Sequence, residues 1–305
     1  MDQILSMRAF ARVVETGTFT QAAASLAMPK GTVTKLVQHL EARLKVRLLN
    51  RTTRRVTVTA DGAAYYERTL RLLADLDNME AGIGNAQATP SGRIRVDVGT
   101  SVARLIIIPA LPSFYARFPD IQLDLGVSDR PVDLISEGVD CVLRGGDLTE
   151  QSLVARRIGN LALVTVASPA YIKRRGQPLH PRELEGDAHV MINYFSARTG
   201  KPYPHEFEKD GEKIEVAGHY QLALNESNAH TAAVLAGLGI GQTAAFAAEP
   251  YIKSGELVPV LQDWPRAPIP IHVVYPPNRH LSAKVRSFVD WAAELFARNK
   301  NLQSG

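Results

Sequence analysis

The chain is poor in the residues on which secreted and metal-dependent proteins rely. It carries one cysteine, Cys141, in 305 residues, so no intrachain disulfide framework can form, and a reducing compartment suits it. Cys141 stands in an apolar strand pattern, where a buried structural thiol is a simpler reading than a redox sensor. The eight histidines are scattered; none forms an H-E-x-x-H pair or a ligand set with Cys141, so no metal is expected. There is no P-loop. "GLGIG" at 237–241 is followed by Gln242 and preceded by a helical pattern rather than a strand, so the dinucleotide fingerprint fails and no cofactor is expected. The opening "MDQILSMRAF" has an acid at position 2 and no basic run before an apolar segment, which does not read as a signal peptide. The one long uncharged stretch, Thr231–Ala248, contains three glycines and Gln242. It reads as a buried helix turning into a glycine-bounded strand, not as a membrane span. The expectation is a cytoplasmic protein without a membrane partner.

Acidic side chains are scarce at one end. Residues 1–60 hold ten basic residues against Asp2, Glu15 and Glu41, a local charge of +7, while the remaining residues sum to −3. A compact basic head on a slightly acidic body is the electrostatic pattern of a polyanion-binding module. Ile4, Met7, Phe10, Ala11 and Val14 recur at helical spacing and stop at Gly17. Thr20 is then an N-cap candidate for the short alanine-rich "QAAASLA", which Pro29 ends. From Lys30 a second helix turns Val33, Leu36, Val37, Leu40 and Leu44 inward and leaves Thr32, Thr34, Lys35, Gln38 and His39 outside. Two helices joined by a tight break are the helix-turn-helix plan. "RLLNR" and "RVTVT" around "TTR" read as a two-stranded wing tipped with arginine. A plain helical bundle with a solvated face is the alternative, and the wing and local charge favour DNA.

These residues, from Phe10 to Gly62, closely resemble the N-terminal winged helix-turn-helix of LysR-type transcriptional regulators. The pieces that carry the resemblance are "F…VVETGTFTQAAASLAM" and "VTKLVQHLEARLKVRLLNRTTRRVTVTADG". The family usually has serine at Pro29, glutamine at Lys30, proline at Gly31, alanine at Thr32 and serine at Thr34. "PKGTVTK" keeps hydroxyls but alters the base-reading set.

From Asp61, a plausible N-cap, to about Ala88 one long helix is expected, with Leu70, Leu73, Leu76, Met79 and Ile83 as an apolar stripe. Pairing with a second copy or packing against its own body would each cover that stripe; the length favours pairing, and the resemblance implies a linker helix that dimerises the heads. "QATPSG" at 87–92 is the expected hinge. Beyond it strands and helices alternate: "RIRVDVGT", a helix broken at Pro109 and Pro112, "IQLDLGV", a short helix in "RPVDLISEG", "VDCVLRGG", and on to "IPIHVVYP" and a closing helix. This reads as parallel α/β sheets in two lobes. The expected fold class is therefore α/β. A DNA-binding domain spans 1–60, a linker helix and hinge 61–91, and an effector-binding domain 92–305. Lobe I comprises 92–163 with 265–305, and lobe II 164–264. The resemblance implies Rossmann-like lobes, as in periplasmic solute-binding proteins, with a ligand cleft between them.

Function follows as an expectation: a DNA-binding transcriptional regulator switched by a small molecule, and not an enzyme. The rival is a cytoplasmic enzyme or small-molecule-binding protein with an accessory basic domain. Thr32, Thr34, Lys35 and Gln38 are expected at base edges, with Lys30 at the start of the same helix. Thr20, Arg51, Thr53 and Arg54 are expected on phosphates. Effector candidates lie at strand ends and helix starts. In lobe I these are Thr100, Ser101, Ser128 and Arg144; in lobe II, Asn193, Tyr194, Asn225, Ser227 and Asn228. Each alone also serves as a helix cap. Hydroxyls, helix N-termini and an arginine together favour a small organic anion, a carboxylate. The expected partners are double-stranded DNA with a palindromic operator, the effector, further copies of the chain (homodimer to homotetramer), and RNA polymerase.

Overall fold

The computed structural model describes residues 2–51, 56–84, 89–146, 153–276, 281–299 and 302, with backbone alone at 51, 71, 74, 75 and 77–84. It divides into two compact units, 1–88 and 89–305.

In the first unit α1 (Gln3–Thr16) is capped by Asp2 and stopped at Gly17. The short α2 (Phe19–Ser25) is capped by Thr18, whose hydroxyl accepts the Gln21 N–H, and not by Thr20, which is exposed inside the first turn. Two threonines were available to cap this helix; the extended backbone at Thr18 (φ −143°) is the one that suits an N-cap. After a break with Ala27 in the left-handed region (φ 51°), α3 (Lys30–Leu44) follows. The wing is β1 (Leu49–Arg51) paired antiparallel with β2 (Val56–Val58). Its start is pinned by Glu41, whose Oε1 accepts the N–H groups of Leu48 and Leu49 at 2.9 and 3.1 Å. Phe10, Val13, Val33, Leu36, Val37, Leu40, Leu48 and Leu49 form the core.

Helix α4 (Ala60–Gly84) begins one residue before the expected Asp61. Thr59 caps it instead, accepting the Gly62 N–H at 2.9 Å, and Asp61 sits in the first turn, where its charge suits the helix dipole. The apolar stripe also divides differently. Leu73 is 8% exposed and buried in the head's own core, with Leu70 packed beside it, whereas Leu72 is 49% exposed. Thus the first turns of α4 pack on the head, and Leu73 does not belong to a free seam.

The second unit holds two similar sheets. In lobe I the order is β4 (Ile121–Val127), β3 (Gly92–Val98), β5 (Cys141–Gly145), β14 (Ile269–Tyr275), β6 (Val154–Leu161). In lobe II, β12 (Gly241–Ala244), β7 (Leu163–Ala167) and β13 (Val258–Pro259) form one group, and β11 (Tyr220–Leu224) with β8 (Met191–Tyr194) another. A parallel bridge from Met191 to Ile240 joins these two groups. The sheets are mixed, not parallel as expected. β14 runs antiparallel to β5 and β6, and β7 antiparallel to β12 and β13. Each is the strand that has just crossed from the other lobe; β6 and β7 are separated by Ala162 alone.

The helical run after β3 is not broken by its prolines. It passes from α5 (Thr100–Val102) through a wide π-turn (Ala103–Ile107) into α6 (Ile108–Arg117), with Pro109 in the first turn of α6 and Pro112 inside it. The wide turn absorbs the register change that a proline's missing N–H invites. "RPVDLISEG" forms turns rather than a helix, because Asp133 Oδ1 takes the N–H groups of Ile135 and Ser136. A hairpin of β9 (His205–Lys209) and β10 (Glu212–Val216) lies outside the expected alternation. Its turn is Asp210–Gly211, both at positive φ (52° and 85°), the signature of a type I′ turn. The remaining helices are α7 (Pro169–Arg175), α8 (Ser227–Leu235), α9 (Ala245–Lys253) and the closing α10 (Ala283–Arg298). Phe114 anchors the lobe I core against Phe288 and Trp291, with ring centroids 5.7 and 5.1 Å away.

Candidate functional site

Helix α3 sorts its residues by side. Val33, Leu36, Val37 and Leu40 are buried, while Lys30, Thr32, Lys35, Gln38 and His39 are exposed. Thr34 is half-buried and its hydroxyl donates to the Lys30 carbonyl at 3.0 Å, so that hydroxyl is already engaged within the helix. Arg51 ends β1 opposite Val56; Thr53 and Arg54 lie outside the described residues. An exposed helix face with hydroxyl, amide and ammonium groups, beside a two-stranded wing, can enter a major groove while the wing follows the backbone.

In the body the helix N-termini of the two lobes meet. Thr100 opens α5 and Ser227 opens α8. Thr100 Oγ1 lies 2.8 Å from Ser227 Oγ, and Ser101 Oγ lies 2.7 Å from the same atom. Ser101 Oγ also reaches Asn228 Oδ1 at 3.4 Å. Four of the nine expected effector residues therefore converge: Thr100, Ser101, Ser227 and Asn228. The true cap of α8 is Glu226, whose carboxylate accepts the N–H groups of Asn228 and Ala229 at 2.9 and 2.7 Å.

Sequence reasoning missed two acids here. Asp129 accepts the Thr100 N–H on Oδ1 and the Ser227 N–H on Oδ2, each at 2.7 Å. Glu226 Oε1 accepts from Thr100 Oγ1. Burial pushes both carboxyls up, but the donors around them outweigh it, so both are held below their ordinary values. An acid two residues past a strand's carboxyl end, as Asp129 is past Val127, was the available signal.

The other candidates are placed differently. Arg144 is not turned to an open anion: it donates to the carbonyls of Ser128 (2.6 Å) and Arg130 (2.9 Å) and pairs with Asp97. Desolvation lowers the Arg144 pKa despite Asp97 and Asp129 nearby, and it raises that of Asp97 despite Arg144. Ser128 lends its backbone to this clamp, and its hydroxyl has no hydrogen-bond partner among the described residues. Neighbours on a strand face opposite ways. Asn193 is accordingly buried against His205 (2.8 Å), away from the junction, while Tyr194 reaches toward it. Burial, then Asp129 and Glu226, raise the Tyr194 phenol, which donates to the Asn225 carbonyl at 3.1 Å. Asn225 itself is exposed. Cys141 is fully buried and desolvation pushes its thiol up, which keeps it from acting as a thiolate. Among the described residues no cluster could hold a metal ion, and no helix is long and apolar enough to cross a membrane.

Residues 4–63 match the family described as bacterial regulatory helix-turn-helix protein, lysR family, and residues 87–297 match the LysR substrate binding domain. The chain belongs to the LysR family of transcriptional regulators. It is 41% identical, over 99% of its own length and 95% of the other, to an HTH-type transcriptional repressor of Pseudomonas aeruginosa. Among solved structures it resembles the LysR-type regulator CrgA of Neisseria meningitidis (29% identity, TM-score 0.59, 95% of this chain and 97% of that one). It is equally similar to AphB, the Vibrio cholerae virulence activator (29% identity, TM-score 0.59, 96% and 99% covered). These relatives make the chain a DNA-binding regulator with an effector-binding body rather than an enzyme, and a winged head with an α/β body is the fold of that family.

Proposed function

We propose that the exposed face of α3 reads a palindromic operator and that the cleft at Thr100 and Ser227 takes a small organic carboxylate. On this reading residues 1–60 are the DNA-binding domain, 61–91 link and dimerise, and the two lobes of 92–305 bind the effector in the cytoplasm. The observation that carries it is the two-sided α3: Thr32, Lys35 and Gln38 stand out opposite a fully apolar inner face. Replacing Lys35 with alanine should change which sequences are selected, at a cost of about 1–3 kcal/mol for a base-reading contact. Replacing Arg54 should weaken binding to all sequences and reduce the salt slope by about one unit. Selection of DNA fragments by each variant, with titrations at several salt concentrations, checks this. If Arg54→Ala changed the chosen operator and kept the salt slope, the two roles would be reversed.

The same reading gives the regulator two heads on one operator, as a dimer or tetramer able to contact RNA polymerase. Leu72, Leu76, Met79 and Ile83 follow one another at 4-3-4 spacing along α4, the repeat of a pairing seam. Leu72→Asp should separate paired heads and leave each head folded, because Leu72 is outside the head's core. Leu73→Asp should unfold the head itself by placing an unpaired charge in that core, a loss of several kcal/mol. Sedimentation and circular dichroism of the two variants distinguish these outcomes; an unchanged oligomer in Leu72→Asp would remove the seam from α4.

A further inference from the structure

The first N–H groups of two helices in different lobes converge on one side chain that belongs to neither helix. Asp129 lies in the turn that follows β4. It accepts the N–H groups of Thr100 and Ser227, and its Oδ2 lies 2.8 Å from Thr100 Oγ1, whose one proton is shared between this carboxylate and that of Glu226. A carboxylate receiving backbone N–H groups from both lobes at their junction makes the contact a bound small carboxylate would make. We propose that Asp129 is a resident surrogate for the effector, holding the lobes together without ligand, and that a small organic carboxylate enters only by displacing it. This rests on the cleft being the effector site.

The surroundings fit a side chain that is both held and replaceable. Its carboxyl is kept ionised at neutral pH by the donors around it. The turn is fastened on either side, since Arg144 binds the carbonyls of Ser128 and Arg130. Yet residues 128–140 contain neither helix nor strand, so the turn can move without dismantling a sheet. Displacement has a cost in affinity: if the cleft is free of Asp129 only part of the time, apparent binding weakens by that fraction. The parent should therefore bind small carboxylates less tightly than a variant lacking this side chain. Glu226 stays beside the junction as the α8 cap, and its charge adds to that selection against weak anions.

The test uses the full chain, with formate as the probe. Asp129→Ala removes the carboxylate and leaves its space. The unfolding midpoint of the effector-binding unit should fall by about 4–8 °C for the loss of charge-assisted hydrogen bonds. Millimolar formate should restore it in a saturable way, whereas sodium chloride at equal ionic strength should not, and the parent should hardly respond. Asp129→Asn fills the same space with a neutral amide, so its midpoint should fall without formate rescue. A formate response equal in parent and alanine variant overturns the proposal, as does an asparagine variant as stable as the parent. An alanine variant that folds only in formate supports it; if alanine folds in neither condition, the asparagine midpoint decides. Operator binding is measured alongside. A parent that binds no operator sinks the functional reading, whereas intact operator binding with a formate-indifferent alanine variant sinks the surrogate alone.

Discussion

Gly62→Ala should unfold the DNA-binding head while the body keeps its own transition. A Cβ at Gly62 would lie 2.0 Å from the Leu48 carbonyl oxygen and 2.9 Å from both the Leu48 carbonyl carbon and Val58 Cγ1. Two of these three atoms are backbone, fixed by the Glu41 carboxylate that holds the Leu48 N–H and by the pairing of β1 with β2. The Leu48 carbonyl cannot rotate aside, so α4 must leave the wing. The cost is about 3 kcal/mol, the upper range for overpacking. In a unit of this size that lowers the midpoint by roughly 12–24 °C. Calorimetry of the full chain should show one transition moving and the other standing still, with operator affinity lost at the temperature where the head melts. A head transition within a degree of the parent would show that the wing and α4 approach less closely than described.

The second large effect is Arg144→Ala. The guanidinium and the Asp97 carboxylate are 19% and 11% exposed, and removing the cation leaves a buried charge and two carbonyls without their donor. Breaking such a pair costs about 3–5 kcal/mol, whereas replacing both partners with neutral groups costs far less. Arg144→Met alone should therefore destabilise the body strongly, and Asp97→Asn with Arg144→Met should recover a large part of the loss. The effect also has a sign in pH. Asp97 already has its pKa raised by burial, against the lowering pull of Arg144, and without Arg144 it rises further. A raised folded-state pKa means the folded protein takes up the proton more readily, so the variant's deficit is largest near neutrality. It should shrink as pH falls through the folded-state value. Urea melts at pH 7 and pH 5 check this; strictly additive single effects, or a deficit that grows on acidification, would contradict the clamp.

The winged head was legible because each of its helices has a single buried stripe, and a stripe at 3.6-residue spacing needs no knowledge of the rest of the chain. Its boundaries slipped by one or two residues, at Thr18 against Thr20 and at Thr59 against Asp61. In each pair either residue can cap a helix, and only the path of the preceding chain selects one. Strand direction was not legible at all: alternation in "LVTVA" and "IPIHVVYP" is the same whichever way the strand runs. The hairpin around Asp210–Gly211 is legible in its Asp-Gly dipeptide, although the alternation of strands and helices does not include it. At the junction of the lobes, hydroxyls at strand ends are legible by position, and four of the nine converge. Asn193 did not, since it alternates with Tyr194 across one strand. Asp129 is not legible as a site residue, because "SDRP" reads as an ordinary turn. That its carboxylate reaches Ser227, 98 positions away, is a property of the closed chain and not of any segment.

The crossing strands also set the order in which the body can be completed during synthesis. β6, residues 154–161, has β14 as its sheet partner, and β14 is residues 269–275. Until the ribosome has released that late segment, lobe I lacks the strand between β5 and β6, and β6 presents an unpaired edge. Within residues 1–88 the described strands β1 and β2 pair with each other, so the head faces no such wait. The head can therefore fold first, in the way domains generally do as they emerge. The body must close late and at once, and while it waits, an exposed β6 is where a nascent chain is open to mispairing or to a chaperone.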